Sequence, residues 1–183
     1  MSRSVMRRED AVLLVIDTQE PFLRAIFERE RVIANSIKLI KAACILGIPV
    51  ITTLQYRERM GDVVAEIAEV LPNNERFDKM TFSCCGSDAF VSKLRSLGRR
   101  TVIICGIETH VCINQTTLDL VDDGYSVQIA ADAVSSRRQY DWQIGLEKLR
   151  QAGAVITTTE AAVLELLRDA SAPEFKAILE LVK

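Results

Sequence analysis

The chain has 183 residues, 49% of them hydrophobic, which suits one domain, residues 1–183, around a single core. Its formal net charge of -2 comes from 23 basic and 25 acidic residues spread along the sequence, so there is neither a basic face for nucleic acid nor an acidic disordered tail. No apolar stretch approaches the roughly 20 residues that cross a bilayer. A soluble protein with a small-molecule substrate, no nucleic acid and no membrane partner is expected.

The first segment, "MSRSVMRRED", groups Arg3, Arg7 and Arg8, but Glu9 and Asp10 follow at once, where a mitochondrial presequence avoids acids. The next apolar run is too short for a signal peptide, and a cytoplasmic location is expected. "AVLLVID" predicts a strand ending at Asp17, and Val32, Ile33, Ile37, Ile40 and Cys44 recur at helical period. "IPVIT" is the next strand; from Leu71, "LPNNERFDKMTFSCCGSD" reads as a long irregular stretch of the kind that carries function. Phe90, Val91 and Leu94 mark a helix before "TVIIC", and Ile113, Thr117 and Leu120 another before "YSVQIA". Ile144, Leu146 and Leu149 precede the strand "AVITT". Pro173 suits the first turn of a last helix whose stripe, Phe175, Ile178, Leu179 and Val182, caps the core or meets another subunit.

The strands are short, rich in Val, Ile and Thr and without polar alternation, as strands covered on both faces are. Gly47, Gly98, Gly124 and Gly153 each stand just before the next strand, where a helix ends. This alternation predicts an α/β fold: a three-layer α/β/α arrangement on a mainly parallel, Rossmann-like sheet. Ligands of such sheets gather beyond the carboxyl ends of the strands, where Asp17 and residues 106–112 fall.

From position alone, Asp17 is either a loop-anchoring acceptor or a site residue. Cys112 opens a helix, whose dipole can lower a thiol pKa; the same place suits a reactive nucleophile or an inert buried cysteine. The five cysteines, Cys44, Cys84, Cys85, Cys105 and Cys112, lack both zinc-site spacing and the density of a disulfide scaffold, and read as reduced thiols. Cys44 and Cys105, in a helical stripe and a strand, are expected to be buried and inert. Cys84 and Cys85 stand in a polar loop as incidental or pocket-lining residues. His110, the single histidine, need not face Cys112 and suits the pocket rim. With no second histidine, no metal and no cofactor are expected.

"LLVIDTQEPF", the lysine of "RFDKMTFS" and "GIETHVCINQTTLDLVDDGYSVQIAADAVSSR" together resemble the isochorismatase-like cysteine hydrolases, from about Ala11 to Glu160, and among them the isochorismatase domain-containing proteins. The resemblance implies the isochorismatase-like hydrolase fold and a catalytic Asp17, Lys79 and Cys112, with Asp17 as general base and Lys79 holding it. It further implies attack by the Cys112 sulfur to give a thioester, and an oxyanion hole of the backbone N–H groups of Glu108 and Cys112 beside a cis Ile107–Glu108 peptide. A homo-oligomer is implied too, since members are commonly dimers or larger.

Nicotinamidase-type members carry an Asp and His metal cluster after the second strand, whereas "TTLQYRERMGD" here has no histidine. Phe22, Gln55 and Tyr56 are candidate substrate-binding residues. The function expected is metal-independent hydrolysis of a small amide or related C–N bond. The alternative is a catalytically idle domain of the same fold acting in protein interaction. Cys112 is expected to alkylate first at about pH 6, with Asp17 opposing thiolate formation and Cys84 and Cys85 as competitors.

Overall fold

Residues 5–72 and 75–183 are described in the computed structural model; Arg3, Asn73 and Asn74 lie outside the described residues. The strands are β1 (Ala11–Ile16), β2 (Val50–Gln55), β3 (Phe77–Lys79), β4 (Thr101–Ile107), β5 (Ser126–Ser135) and β6 (Val155–Thr157). They form one sheet in the order β3-β2-β1-β4-β5-β6, and every pairing is parallel. β1 and β4, at its centre, are buried at every residue, which is why they read as unbroken apolar runs.

The helices are α1 (Glu20–Leu23), α2 (Arg29–Ile45), α3 (Arg57–Met60), α4 (Ala65–Ala68), α5 (Asp88–Ser96), α6 (Asn114–Asp122), α7 (Gln139–Gln151), α8 (Thr159–Leu167) and α9 (Phe175–Val182). Successive strand residues point to opposite faces and feed two cores. Leu13, Val15, Ile103 and Cys105 pack with Val32 and Ile40 of α2, Val163 of α8 and Ile178 of α9. Val12, Leu14, Val102 and Ile104 pack with Phe90 of α5, Leu120 of α6 and Leu149 of α7. The result is a three-layer α/β fold. Among the described residues no helix is long and apolar enough to cross a membrane.

Several local expectations differ from the structure. The stretch from Leu71 contains β3, an edge strand held by pairing with β2, and a short 3-10 turn at Cys84–Gly86. Pro173 stands in the turn before α9, which begins at Phe175 with Glu174 as its cap. Ile144 is 45% exposed rather than part of the α7 stripe. Cys44 is exposed, because α2 turns Val32, Ser36, Leu39 and Ala43 inward and carries position 44 out to the rim.

The strand order reverses between β1 and β4, so their carboxyl ends open the crevice where such sheets bind ligands. Gly106 permits the close approach there: it pairs with Ile16, has φ +112°, and a Cβ on it would overlap the Ile16 carbonyl oxygen. Gly106→Ala is therefore expected to cost about 2–6 kcal/mol from backbone strain and overpacking together. Urea denaturation measures this, and an unchanged midpoint would contradict the close approach.

Candidate active site

Asp17 leaves β1 with φ 52°, in the left-handed region that few non-glycine residues adopt. Its N–H still donates to the Thr53 carbonyl at the end of β2, at 3.2 Å. The carboxylate accepts from Thr53 Oγ1 at 3.0 Å on one oxygen and from Lys79 Nζ at 2.7 Å on the other. Lys79 ends β3 in register with Gln55. Its Nζ also donates to Gln55 Oε1 at 2.6 Å and to the Phe82 carbonyl at 3.1 Å, with the Thr81 carbonyl at 3.4 Å. Lysine is ordinarily a solvated residue, yet Lys79 is 4% exposed and Asp17 2%. Burial alone would depress the lysine pKa, but the charge and hydrogen bond of Asp17 outweigh it and hold the ammonium above its ordinary value.

Cys112 reaches the same place from the other side of the switch point. After β4 the chain passes through a cis Ile107–Glu108 peptide into a π-helical turn, Thr109–Ile113, ahead of α6. The Glu108 carbonyl accepts from both Val111 and Ile113, at 3.1 and 3.2 Å. Cys112 is buried, with Sγ 4.0 Å from Gln55 Oε1. Burial pushes its thiol pKa up, and the charge of Asp17 and a hydrogen bond to it push further; Lys79 opposes and loses. This reverses the expected acidic thiol. Asp17 and Lys79 cancel at 2.7 Å, leaving no net positive charge to hold a thiolate, even though Cys112 stands as expected at the start of a helical run, in the π turn that continues into α6.

These side chains open onto a pocket of about 260 Å³. Asp17, Gln55, Glu108 and Cys112 supply its polar wall; Phe22, Phe82, Ile107 and Val111 supply the apolar one, and Arg137 stands with them. Tyr56 does not line it; its N–H donates to the Lys79 carbonyl at 3.0 Å where α3 begins. Among the described residues no three His, Cys, Asp or Glu side chains converge as a metal-binding group.

The isochorismatase domain model matches residues 11–161. The chain belongs to the isochorismatase family. It is 43% identical over 177 residues to a secreted isochorismatase effector of Phytophthora sojae, covering 94% of this chain and 84% of that one. It is 42% identical to isochorismatase domain-containing protein 2 of Danio rerio, over 94% of this chain and 86% of that one. Among solved structures, the MAR1 ribonuclease of Caenorhabditis elegans superposes with a TM-score of 0.92 at 38% identity, covering 98% of this chain and 92% of that one.

Within this isochorismatase-family pocket the residues that sequence reasoning missed are Phe82, Ile107, Val111 and Arg137. Arg137 ends the "AADAVSSR" segment that carries the resemblance, so a signal for it was present. Its backbone N–H and its Nη2 donate to the Glu108 carboxylate at 2.9 and 2.7 Å, with Nε at 3.2 Å. Burial pushes Glu108 up, but these bonds and the guanidinium charge hold it below the usual carboxylate value. His110 does not partner Cys112: its Nδ1 meets Ser136 Oγ at 2.9 Å.

The other cysteines differ in access. Cys84 is fully buried, donating to Thr53 Oγ1 at 3.6 Å, and burial reinforced by the Asp17 charge pushes its thiol up to about 12. Cys105 is likewise pushed up to about 12 by burial, and half-buried Cys85 to about 11. The exposed thiol is Cys44, so labelling near neutral pH is expected to find Cys44 before Cys112. Because Asp17 raises the Cys112 pKa and Lys79 lowers it, Asp17→Asn is expected to speed iodoacetamide labelling of Cys112 roughly tenfold or more, and Lys79→Ala to slow it. Peptide mass mapping of folded variants reads this out. Unchanged rates in both would remove the electrostatic coupling.

Proposed function

We propose that the protein is a metal-independent cysteine hydrolase that cleaves a small amide or related C–N bond through a thioester on Cys112. The observation that carries this reading is the Lys79 Nζ–Asp17 contact of 2.7 Å, with Asp17 and Cys112 in the wall of one pocket and the Cys112 sulfur 4.0 Å from Gln55 Oε1, which Lys79 also holds. Since the resting thiol is neutral, Asp17 takes its proton as the C–S bond forms. The backbone N–H groups of Glu108 and Cys112 receive the oxyanion. Its collapse breaks the C–N bond, and Asp17 returns the proton to the departing nitrogen. Water, deprotonated by Asp17, then attacks the thioester carbon; the carboxylic acid leaves and the sulfur regains its proton. Thr53 and Lys79 hold the two oxygens of Asp17 in place throughout.

This pocket does not suit an RNA backbone, which takes several cations free to meet phosphates, because its two neighbouring cations, Lys79 and Arg137, are engaged by Asp17 and Glu108. A cytoplasmic location belongs to the same proposal, supported by five free cysteines. So does a homo-oligomer, to which Tyr140 and Ile144 of α7, 70% and 45% exposed, offer an apolar face.

A screen of small amides, ureides and carbamates against wild type and Cys112→Ala tests activity and mechanism together. Ammonia or amine release is expected from wild type and its loss by about a thousandfold or more from the variant, with an acyl adduct on Cys112 in rapidly quenched wild type. Turnover that survives Cys112→Ala would overturn the reading.

A further inference from the structure

We propose that the Glu108–Arg137 ion pair determines specificity by keeping the pocket electrically neutral, so that the substrate is an uncharged amide with a compact apolar acyl group. This rests on the hydrolase reading above and names the substrate class of the same site. Three charged side chains line the pocket, Asp17, Glu108 and Arg137. Asp17 is cancelled from behind by Lys79 at 2.7 Å, and Glu108 by Arg137 at 2.7 Å. What remains for a ligand beyond the reacting group is Gln55, whose Oε1 is taken by Lys79 and whose Nε2 donates to the Met80 carbonyl, and the apolar Phe22, Phe82, Ile107 and Val111.

Arg137 stands out as a lure for anions, because its side chain is 59% exposed while that of Glu108 is only 10% exposed. The asymmetry decides which carboxylate keeps the guanidinium. A ligand carboxylate that drew it away would leave Glu108 with only the Arg137 backbone N–H, at 2.9 Å, in a place with little water to solvate it. The ligand's own charge would then face both Glu108 and Asp17. An ammonium ligand meets the opposite obstacle, since Glu108 is already satisfied and Arg137 faces the incoming charge. Size points the same way: about 260 Å³ lies below the roughly 300–1,000 Å³ of sites that enclose drug-sized ligands.

The test compares isocaproamide with succinamate, a nearly isosteric pair differing by a carboxylate in place of an isopropyl group, on wild type and Glu108→Gln. Binding is read as protection of Cys112 from iodoacetamide at alkaline pH, with exposed Cys44 as the internal control, and turnover as ammonia release. Wild type is expected to favour isocaproamide by at least about tenfold in protection, and Glu108→Gln to move that ratio toward succinamate by about tenfold because the guanidinium has lost its carboxylate. Wild type alone decides if the variant does not fold: equal or preferred protection by succinamate, or no protection by isocaproamide, overturns the inference. An unchanged ratio in folded Glu108→Gln overturns it as well. Selective protection by isocaproamide without ammonia release upholds the pocket's specificity and rejects the hydrolase reading; ammonia released preferentially from succinamate does the reverse.

Discussion

Lys79 and Asp17 meet at 2.7 Å with side chains 1% and 3% exposed, and neither charge is tolerable there without the other. Removing one member of such a buried pair costs on the order of 3–5 kcal/mol, because the survivor keeps its desolvation penalty and loses its compensation. The pair is held by further bonds from Thr53 and to Gln55 and the Phe82 carbonyl. These groups come from the carboxyl ends of β1 and β2 and from β3 and the loop after it, so the contact requires three neighbouring strands in register. β3 has three residues and an alternately exposed pattern. Its pairing with β2 is what delivers Lys79.

The same contact sets the state of the cysteine that arrives across the switch point. A lysine unaccompanied would stabilise a thiolate; a lysine already neutralised by a carboxylate leaves burial to prevail, and the thiol stays protonated. On the proposed route the proton therefore moves when a carbonyl is present to accept the sulfur. Glu108 and Arg137 repeat the arrangement on the other flank, joining the loop after β4 to the segment after β5 by backbone and guanidinium bonds. Two cancelled pairs thus border one largely apolar pocket.

Five of the six strands were legible as apolar runs: the central β1 and β4 are buried at every residue, and such strands carry little else, while the half-buried edge strand β6 was still marked by Val and Ile. β3 was not legible: Phe-Asp-Lys has no periodicity to reveal it, and an edge strand takes its conformation from its neighbour. Asp17 and Cys112 were visible from their places at strand ends, whereas Lys79 rested on the family resemblance, since sequence statistics make a lysine solvated. The direction of the Cys112 shift was not legible in the sequence, because it depends on distances among three side chains from distant segments. Cys44 was misread because Ser36 and Ala43 interrupt the apolar pattern of α2, hiding that the buried stripe runs through them. Arg137 was missed although it ends a motif that carries the resemblance, because that motif assigned it no role; Phe82 was missed for want of any local pattern, being a 54% exposed loop residue that reaches the pocket.

That a buried, internally neutralised ion pair keeps the Cys112 sulfur protonated at rest is the claim on which the rest depends. Ultraviolet thiolate absorbance, followed against pH as the difference between wild type and Cys112→Ala, tests it most directly. The account predicts no thiolate signal from Cys112 at neutral pH and its appearance only above the ordinary thiol value of about 8.5. A full thiolate signal already present near about pH 7, where an unperturbed thiol is almost wholly protonated, would contradict it.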